Sequence, residues 1–255
     1  MKTRRIVLKF GTGILKRSRG DALDEKQFRR LTADVAKLVL GGDECILVSS
    51  GAVGAGLGAM GLKTRPSDLP TIQACAAVGQ SKLMRLYETM FAGHGLNVAQ
   101  LLLTHGDLDS RMRHRNARNT LDRLLQRRGV IPIINENDSV AVEELRVGDN
   151  DRLSAEVAIL ARADLLIILT GVDGLLDGAG RLIPLVTDIE SAAGFAHEGK
   201  GKFSVGGMVS KLQAVKLALD AGIPAVIGNG RRAGQIRAIA AGKPAGTRFL
   251  PGHPR

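Results

Sequence analysis

Short apolar runs alternate along the chain with longer stretches in which apolar residues recur every three or four positions. Residues 5–10 (Arg-Ile-Val-Leu-Lys-Phe) predict a buried strand, and residues 24–40 carry Phe28, Leu31, Val35, Leu38 and Val39 at helical spacing before Gly41-Gly42 stops them. Residues 45–48 predict a second buried strand that opens through Ser49-Ser50-Gly51 into a helix. The same reading gives helices over 69–91, 116–127, 153–161, 207–221 and 234–240. It gives strands over 98–103, 130–134, 164–169, 223–227 and 247–250, and a short β excursion over 140–147. Strands that alternate with helices require right-handed crossovers and a mainly parallel sheet covered on both faces. The expected fold is therefore α/β, a three-layer α/β/α sandwich with a mainly parallel central sheet. No linker or repeat divides residues 1–255, so a single domain is expected.

Composition narrows this picture. The chain is 44% hydrophobic but only 3% aromatic and has no Trp, so its core must be built from Leu, Ile, Val and Ala. No apolar run reaches the roughly 18 residues of a membrane span, the basic start is followed by too short an apolar segment for a signal peptide, and Cys45 and Cys75 stand without metal or redox spacing. A cytoplasmic protein is expected, with no membrane partner. The net charge of +11 raises the question of nucleic acid. The densest basic stretch carries arginines at 111, 113, 115, 118, 123, 127 and 128, interleaved with Leu121, Leu124 and Leu125 and lacking any aromatic residue to stack on bases. It is read as a solvated helix face, and nucleic acid is not expected as a partner. A basic surface also attracts anionic substrates.

Polar clusters fall where predicted strands end, which is where open α/β sheets bind ligands. Lys9-Phe10-Gly11-Thr12-Gly13 offers a fixed cation and free backbone N–H groups for a phosphate, or else a plain turn with a lysine reaching to solvent. Gly206-Gly207-Met208-Val209-Ser210-Lys211 sets glycines at a helix start with a lysine one turn in, a phosphate site or simply a loop and a helix start. Asn135-Glu136-Asn137-Asp138 and Asp149-Asn150-Asp151 are dense in short acids and amides, suited to a small polar ligand or to two surface turns. Gly56-Leu57-Gly58-Ala59-Met60-Gly61 fits G-x-G-x-x-G, but it falls inside or after a helix and lacks the acid a ribose needs, so no dinucleotide site is expected. There is no P-loop, and the histidines at 94, 105, 114, 197 and 253 lie outside these clusters.

Together with Ser49-Ser50-Gly51-Ala52-Val53 and Ala76-Ala77-Val78-Gly79-Gln80, these motifs resemble the glutamate 5-kinases of the amino acid kinase superfamily over residues 5 to about 250. The glycine and lysine sites are common to the superfamily, whereas Asn-Glu-Asn-Asp, Val-Gly-Asp-Asn-Asp and Ala-Val-Gly-Gln are particular to the glutamate 5-kinases. The resemblance implies the amino acid kinase fold, and an ATP- and Mg2+-dependent phosphorylation of the side-chain carboxylate of L-glutamate. That reaction opens proline synthesis, and proline commonly inhibits it. By matched position, Lys9 and Lys211 are implied at the transferring phosphate, with Asp151 organising them. Ser50, Asn135, Asp138 and Asn150 are implied at glutamate. Gly11, Thr170, Gly171 and the run Val205, Gly206, Gly207, Met208, Val209, Ser210, Lys211 are implied at the nucleotide. The nucleotide would lie on the part from about residue 164 and glutamate on the part before it, in a homo-oligomer.

Three departures from the family pattern stand out. Thr170-Gly171 replaces the usual Thr-Asp, and Ser204-Val205-Gly206-Gly207-Met208 replaces a loop opening Gly-Thr-Gly-Gly-Met. The sequence also ends at Arg255, after the kinase portion and without the C-terminal PUA domain many members carry. The alternatives are a kinase for another small carboxylic acid or carbamate and a non-catalytic ligand-binding regulator.

Overall fold

The computed structural model describes residues 3–17, 23–141, 150–198 and 205–252. The expected strand over 140–147 falls almost wholly outside them. Eight strands form one sheet: β1 (Arg5–Phe10), β2 (Glu44–Ser49), β3 (Asn97–Leu103), β4 (Val130–Glu136), β5 (Leu165–Thr170), β6 (Leu185–Val186), β7 (Ala225–Asn229) and β8 (Thr247–Phe249). Their order is β3-β4-β2-β1-β5-β7-β8-β6. Every pairing is parallel except β7 with β8. The chain grows outward from β1 in one direction through β2 and β4, then crosses to β5 on the other side. The crevice for a ligand therefore opens at the carboxyl ends of β1, β2 and β5.

Side-chain parity divides the core in two. From β1, Ile6, Leu8 and Phe10 enter one cluster and Val7 the other; from β2, Cys45 and Leu47 part from Ile46 and Val48; from β4, Ile131 and Ile133 part from Ile134. Alternate residues of a strand point to opposite faces, so each face acquires its own helical layer. One layer is formed by α2 (Glu25–Leu40), α4 (Leu69–Ala92) and the short α10 (Gln235–Ala240). The other contains α6 (Arg111–Leu125), α7 (Asn150–Ala161) and α9 (Val205–Asp220). The expected three-layer architecture with a mainly parallel sheet is the one observed.

Local signals fix the helix starts. Asp24 accepts hydrogen bonds from the backbone N–H groups of Lys26 and Gln27, and Asp68 from that of Thr71. The expected helix over 116–127 begins earlier, at Arg111, and is preceded by a separate turn, α5 (His105–Asp109). Thr104 and Asp107 close a capping box there, which lets a run with no apolar stripe become helical. The strand expected over 223–227 shifts to Ala225–Asn229, because Gly222 takes a left-handed turn and Pro224 has no N–H to donate to a ladder. Four elements escaped the pattern: the short helices α1 (Thr12–Leu15) and α5, the strand β6, only two residues long, and the helix α8 (Ile189–Glu198).

Of the Gly56–Gly61 glycines, Gly56 proves to be a packing residue, while Gly58 and Gly61 face open space. A Cβ on Gly56 would lie 1.9 Å from the Cys75 carbonyl oxygen, and one on Gly79 would lie 1.8 Å from that of Ala52. The turn of helix α3 (Ala52–Leu57) thus meets α4 backbone to backbone, and only glycine fits at either contact. The arginine-rich stretch is a helix face as expected. It buries Leu121 and Leu125 and leaves most of its arginines exposed, with Arg118 near Asp122 and Arg113 on Asp107.

Candidate active site

Parity places the chemistry. Lys9 shares its face of β1 with Val7, so its side chain points toward α7 rather than α4. It is 3% exposed and forms a short ion pair with Asp151, which is fully buried in the first turn of α7. The other carboxylate oxygen of Asp151 accepts from Lys211 Nζ at 2.9 Å and from Ser210 Oγ at 3.2 Å, both on α9. Ser154 Oγ donates to the Asp151 carbonyl at 2.6 Å and stiffens the turn that carries it. One buried carboxylate thereby fixes two ammonium groups that come from opposite ends of the sequence. A lone buried ion costs several kcal/mol in desolvation, and pairing offsets that cost here. Lys211 Nζ also donates to the Gly207 carbonyl at 2.9 Å, which ties it to the first turn of its own helix.

Above this triad lies a cleft of about 280 Å³, lined by Lys9, Gly11, Ser50, Thr170, Gly171, Gly207, Met208 and Lys211 among others. None of its described lining residues is acidic. Gly11 lies directly over the lysine, since a Cβ there would make ordinary contact with Lys9 Nζ at 3.4 Å. The floor of the cleft is therefore cationic and its walls are largely backbone and small side chains, a surface suited to phosphate groups. Val209 turns away and packs on the core cluster beneath the helix layer. Of Val205 and Gly206 only the helical backbone is described, and Ser204 lies outside the described residues. Gly171 is exposed with open space where a side chain would stand.

The acid–amide clusters are only partly turns: Asp138 and Ser139 begin one, whereas Asn135, Glu136, Asn150 and Asp151 are buried in regular elements. Asn135 and Glu136 end β4 and are buried, at 3% and 4% exposure. Asn135 shares the face of Ile131 and Ile133 and so meets α4, where its Nδ2 donates to Gln80 Oε1 at 2.9 Å. Asn150 Nδ2 reaches the Ser49 carbonyl, Ser50 Oγ and Asn135 Oδ1 at 3.0, 3.1 and 2.8 Å. Ser49 in turn shares a 2.8 Å hydrogen bond with the Tyr87 hydroxyl, whose burial pushes its ionisation well above the usual tyrosine value. A continuous polar chain thus joins the cleft rim at Ser50 to Gln80. Asp138 lies at its far end, in a second cavity of about 250 Å³ lined by Gln80, Gln100, Glu136 and Asn137 among others. The expected ligand residues therefore divide between two spaces, with Asn150 and Asn135 linking Ser50 at the rim of one to Gln80 at the other. Val147, Gly148 and Asp149 lie outside the described residues.

Sequence reasoning singled out no role for Gln80, Glu136 or Tyr87. The signal for Gln80 was its place in the Ala-Val-Gly-Gln run, beside Gly79, which packs against the Ala52 carbonyl. For Glu136 it was position in a strand, hidden because the strand runs two residues beyond its apolar stretch.

This arrangement sets two lysines on one buried aspartate at the carboxyl edge of an eight-stranded sheet, a cationic floor suited to phosphate groups. The chain belongs to the amino acid kinase family, whose profile matches residues 4–229. It is similar to curated glutamate 5-kinases. It is 49% identical to that of Moorella thermoacetica and 46% to that of Pelobacter propionicus, in each case over 98% of this chain and 68% of the relative. Among solved structures the fold is similar to carbamate kinase from Giardia lamblia bound to AMP-PNP (TM-score 0.68, 15% identity, 97% of this chain and 98% of that one). It is also similar to UMP kinase from Bacillus anthracis (TM-score 0.65, 17% identity, 97% and 96% covered). N-acetylglutamate synthase from Neisseria gonorrhoeae, complexed with coenzyme A and L-arginine, has the fold too, with this chain spanning 61% of it (TM-score 0.68, 16% identity, 97% of this chain).

Proposed function

We propose that this chain transfers the γ-phosphoryl group of ATP to the side-chain carboxylate of L-glutamate, giving L-glutamyl 5-phosphate and ADP. The observation that carries the reading is the pair of ammonium groups, Lys9 and Lys211, held by Asp151 at the floor of the cleft. A carboxylate attacking a phosphate brings two anions together. Unit charges about 4 Å apart repel by roughly 4 kcal/mol at an effective dielectric of 20. Fixed cations offset that repulsion and stabilise charge spread over the phosphoryl oxygens as the new O–P bond forms and the bond to the β-phosphate breaks. The attacking carboxylate is already ionised at neutral pH, so no general base is required.

In this reading Thr170, Gly171 and the stretch from Val205 to Lys211 hold the nucleotide on the part of the chain from about residue 164, with Gly11 contributing from the end of β1. Ser50, Asn135, Asp138 and Asn150 hold glutamate on the part before it, with Asp138 facing the ammonium group. The described residues contain no cluster of three or more metal-ligating side chains, and the carboxylate of Asp151 is engaged by lysines. They fit a magnesium ion that arrives on the phosphates of ATP and keeps water as its other ligands. The reaction would open proline synthesis in the cytoplasm, in a homo-oligomer, with proline as its feedback inhibitor.

Hydroxylamine trapping tests the reading. With ATP and magnesium, glutamate should yield a hydroxamate, while aspartate, N-acetylglutamate and carbamate should not support ATP consumption. ATP use with one of those acids and not with glutamate would transfer the activity to that substrate. No ATP use with any of them would favour a binding protein that kept the fold.

A further inference from the structure

The polar chain between the two cavities has a direction, and that direction leaves one donor over. It is anchored on backbone at both ends. The Glu136 N–H donates to Asn135 Oδ1 at 2.9 Å, so this atom is an acceptor. The Ser49 carbonyl accepts from Asn150 at 3.0 Å, so that atom of Asn150 is its amide nitrogen, and it donates also to Asn135 Oδ1. The other atom of the Asn135 amide is then its nitrogen, and Gln80 must receive it through Oε1. Gln80 has no rotational choice left: an inverted amide would set two N–H groups against each other. Its Nε2 is buried and finds no acceptor among the described residues, although the side chain is 9% exposed and lines the second cavity. A buried donor without an acceptor costs about 1–3 kcal/mol, and such groups gather where a ligand supplies the missing partner.

The shape of α4 holds Gln80 in this position. The preceding residue, Gly79, lets the helix approach the Ala52 carbonyl so closely that any side chain would collide. The same cavity carries carboxylates at Glu136 and Asp138, which suit an ammonium group and repel an anion. Among the donors that line it, Gln80, Ser81, Gln100, Asn137 and Ser139, the Gln80 amide is the one whose buried N–H finds no acceptor among the described residues and so can receive a carboxylate.

We propose that Gln80 Nε2 binds the α-carboxylate of the amino acid whose side-chain carboxylate is phosphorylated at Lys9 and Lys211. This rests on the glutamate reading above and deepens it. Gln80 becomes the residue that distinguishes an α-amino acid from a simple ω-amino acid. A site built to hydrogen-bond one substrate group loses more when that group is missing than an apolar pocket does.

The test compares L-glutamate with 4-aminobutyrate, which keeps the reacting carboxylate and the amine but lacks the α-carboxylate. Binding is measured by calorimetry with a non-hydrolysable ATP analogue present, in wild type, Gln80→Glu and Gln80→Met. Gln80→Glu keeps the oxygen that Asn135 needs and replaces the donor with an anion; Gln80→Met removes the donor without adding charge. Glutamate affinity should fall about 10- to 100-fold in Gln80→Glu and about 10-fold in Gln80→Met, the scale of one charge-assisted hydrogen bond. In Gln80→Glu, which keeps the acceptor for Asn135, affinity for 4-aminobutyrate and for the nucleotide should remain within about two-fold; in Gln80→Met, which removes that acceptor too, the loss for glutamate should exceed the loss for 4-aminobutyrate. An equal loss for both amino acids would show that Gln80 acts only through Asn135 and would overturn the proposal, as would unchanged glutamate affinity or a wild-type protein that binds neither compound. Turnover is scored separately. Discrimination in binding without phosphorylation would sink the glutamate kinase reading and leave this one standing, and phosphorylation without discrimination would do the reverse.

Discussion

Lys211 and Lys9 differ in how they are held, and the difference predicts their behaviour. Lys9 is enclosed by the sheet, and Lys211 sits at the cleft edge, bonded to Asp151 and to its own Gly207 carbonyl. Lys211→Ala should lower kcat by about 10²–10³-fold, the scale of losing one transition-state donor, with little change in melting temperature. A melting temperature reduced in step with activity would mean that the lysine is structural. At Gly171 the family's usual acid is absent, but the space for one is open. Gly171→Asp should therefore fold normally and alter the KM for ATP while leaving the KM for glutamate unchanged. A shift confined to glutamate would misassign the nucleotide end of the cleft. What the sequence revealed at this scale was residue type and spacing: the lysines, the acids and the glycines. It did not reveal that Asp138 and Ser50 border different cavities, nor that Gln80 joins the asparagines, because those relations arise from side-chain direction across three elements.

Strands and helices were legible where their apolar pattern was long, and parity turned that pattern into a site. Once β1 alternates between two cores, Lys9 must face α7, and once β4 does, Asn135 must face α4. Boundaries were lost where polar chemistry set them, as in the capping box that starts the α5–α6 pair, and in β6, whose two residues carry no period. Two elements lend themselves to measurement. In α4, Gly79→Ala would drive a Cβ into backbone on α3, so it should cost about 3 kcal/mol, or roughly 6–12 °C in Tm, and weaken glutamate binding through the displaced Gln80. A fully stable variant would contradict the close helix contact. In α5, the Asp107 carboxyl is held below its usual range, first by the Thr104 backbone N–H and then by the Thr104 hydroxyl and Arg113. A depressed carboxylate stabilises the fold above its unfolded value of about 4 and loses that effect as pH falls through the folded value. Asp107→Asn should therefore be less stable by about 1 kcal/mol at pH 7 and match wild type near pH 2–3. A difference that persisted at low pH would rule out the charged cap.

At the scale of the molecule, an eight-stranded sheet gathers residues 9, 50, 135, 151, 171 and 211 along one edge. The fold class followed from alternating elements alone, because a parallel sheet needs crossovers and both its faces need cover. The site's two-part form did not, because it depends on where β4 ends relative to α4. The net charge of +11 favours the approach of an anionic substrate to a cleft already floored by lysines. The central claim is that a glutamate carboxylate oxygen becomes bonded to phosphorus in that cleft. Glutamate labelled with 18O in its side-chain carboxylate tests this most directly, with ATP, magnesium and hydroxylamine present and the released phosphate observed by 31P NMR. Hydroxylamine attacks the acyl carbon, so each phosphate released from glutamyl phosphate should carry one 18O. Phosphate formed without 18O would mean that water, not glutamate, attacks ATP, and would contradict the account.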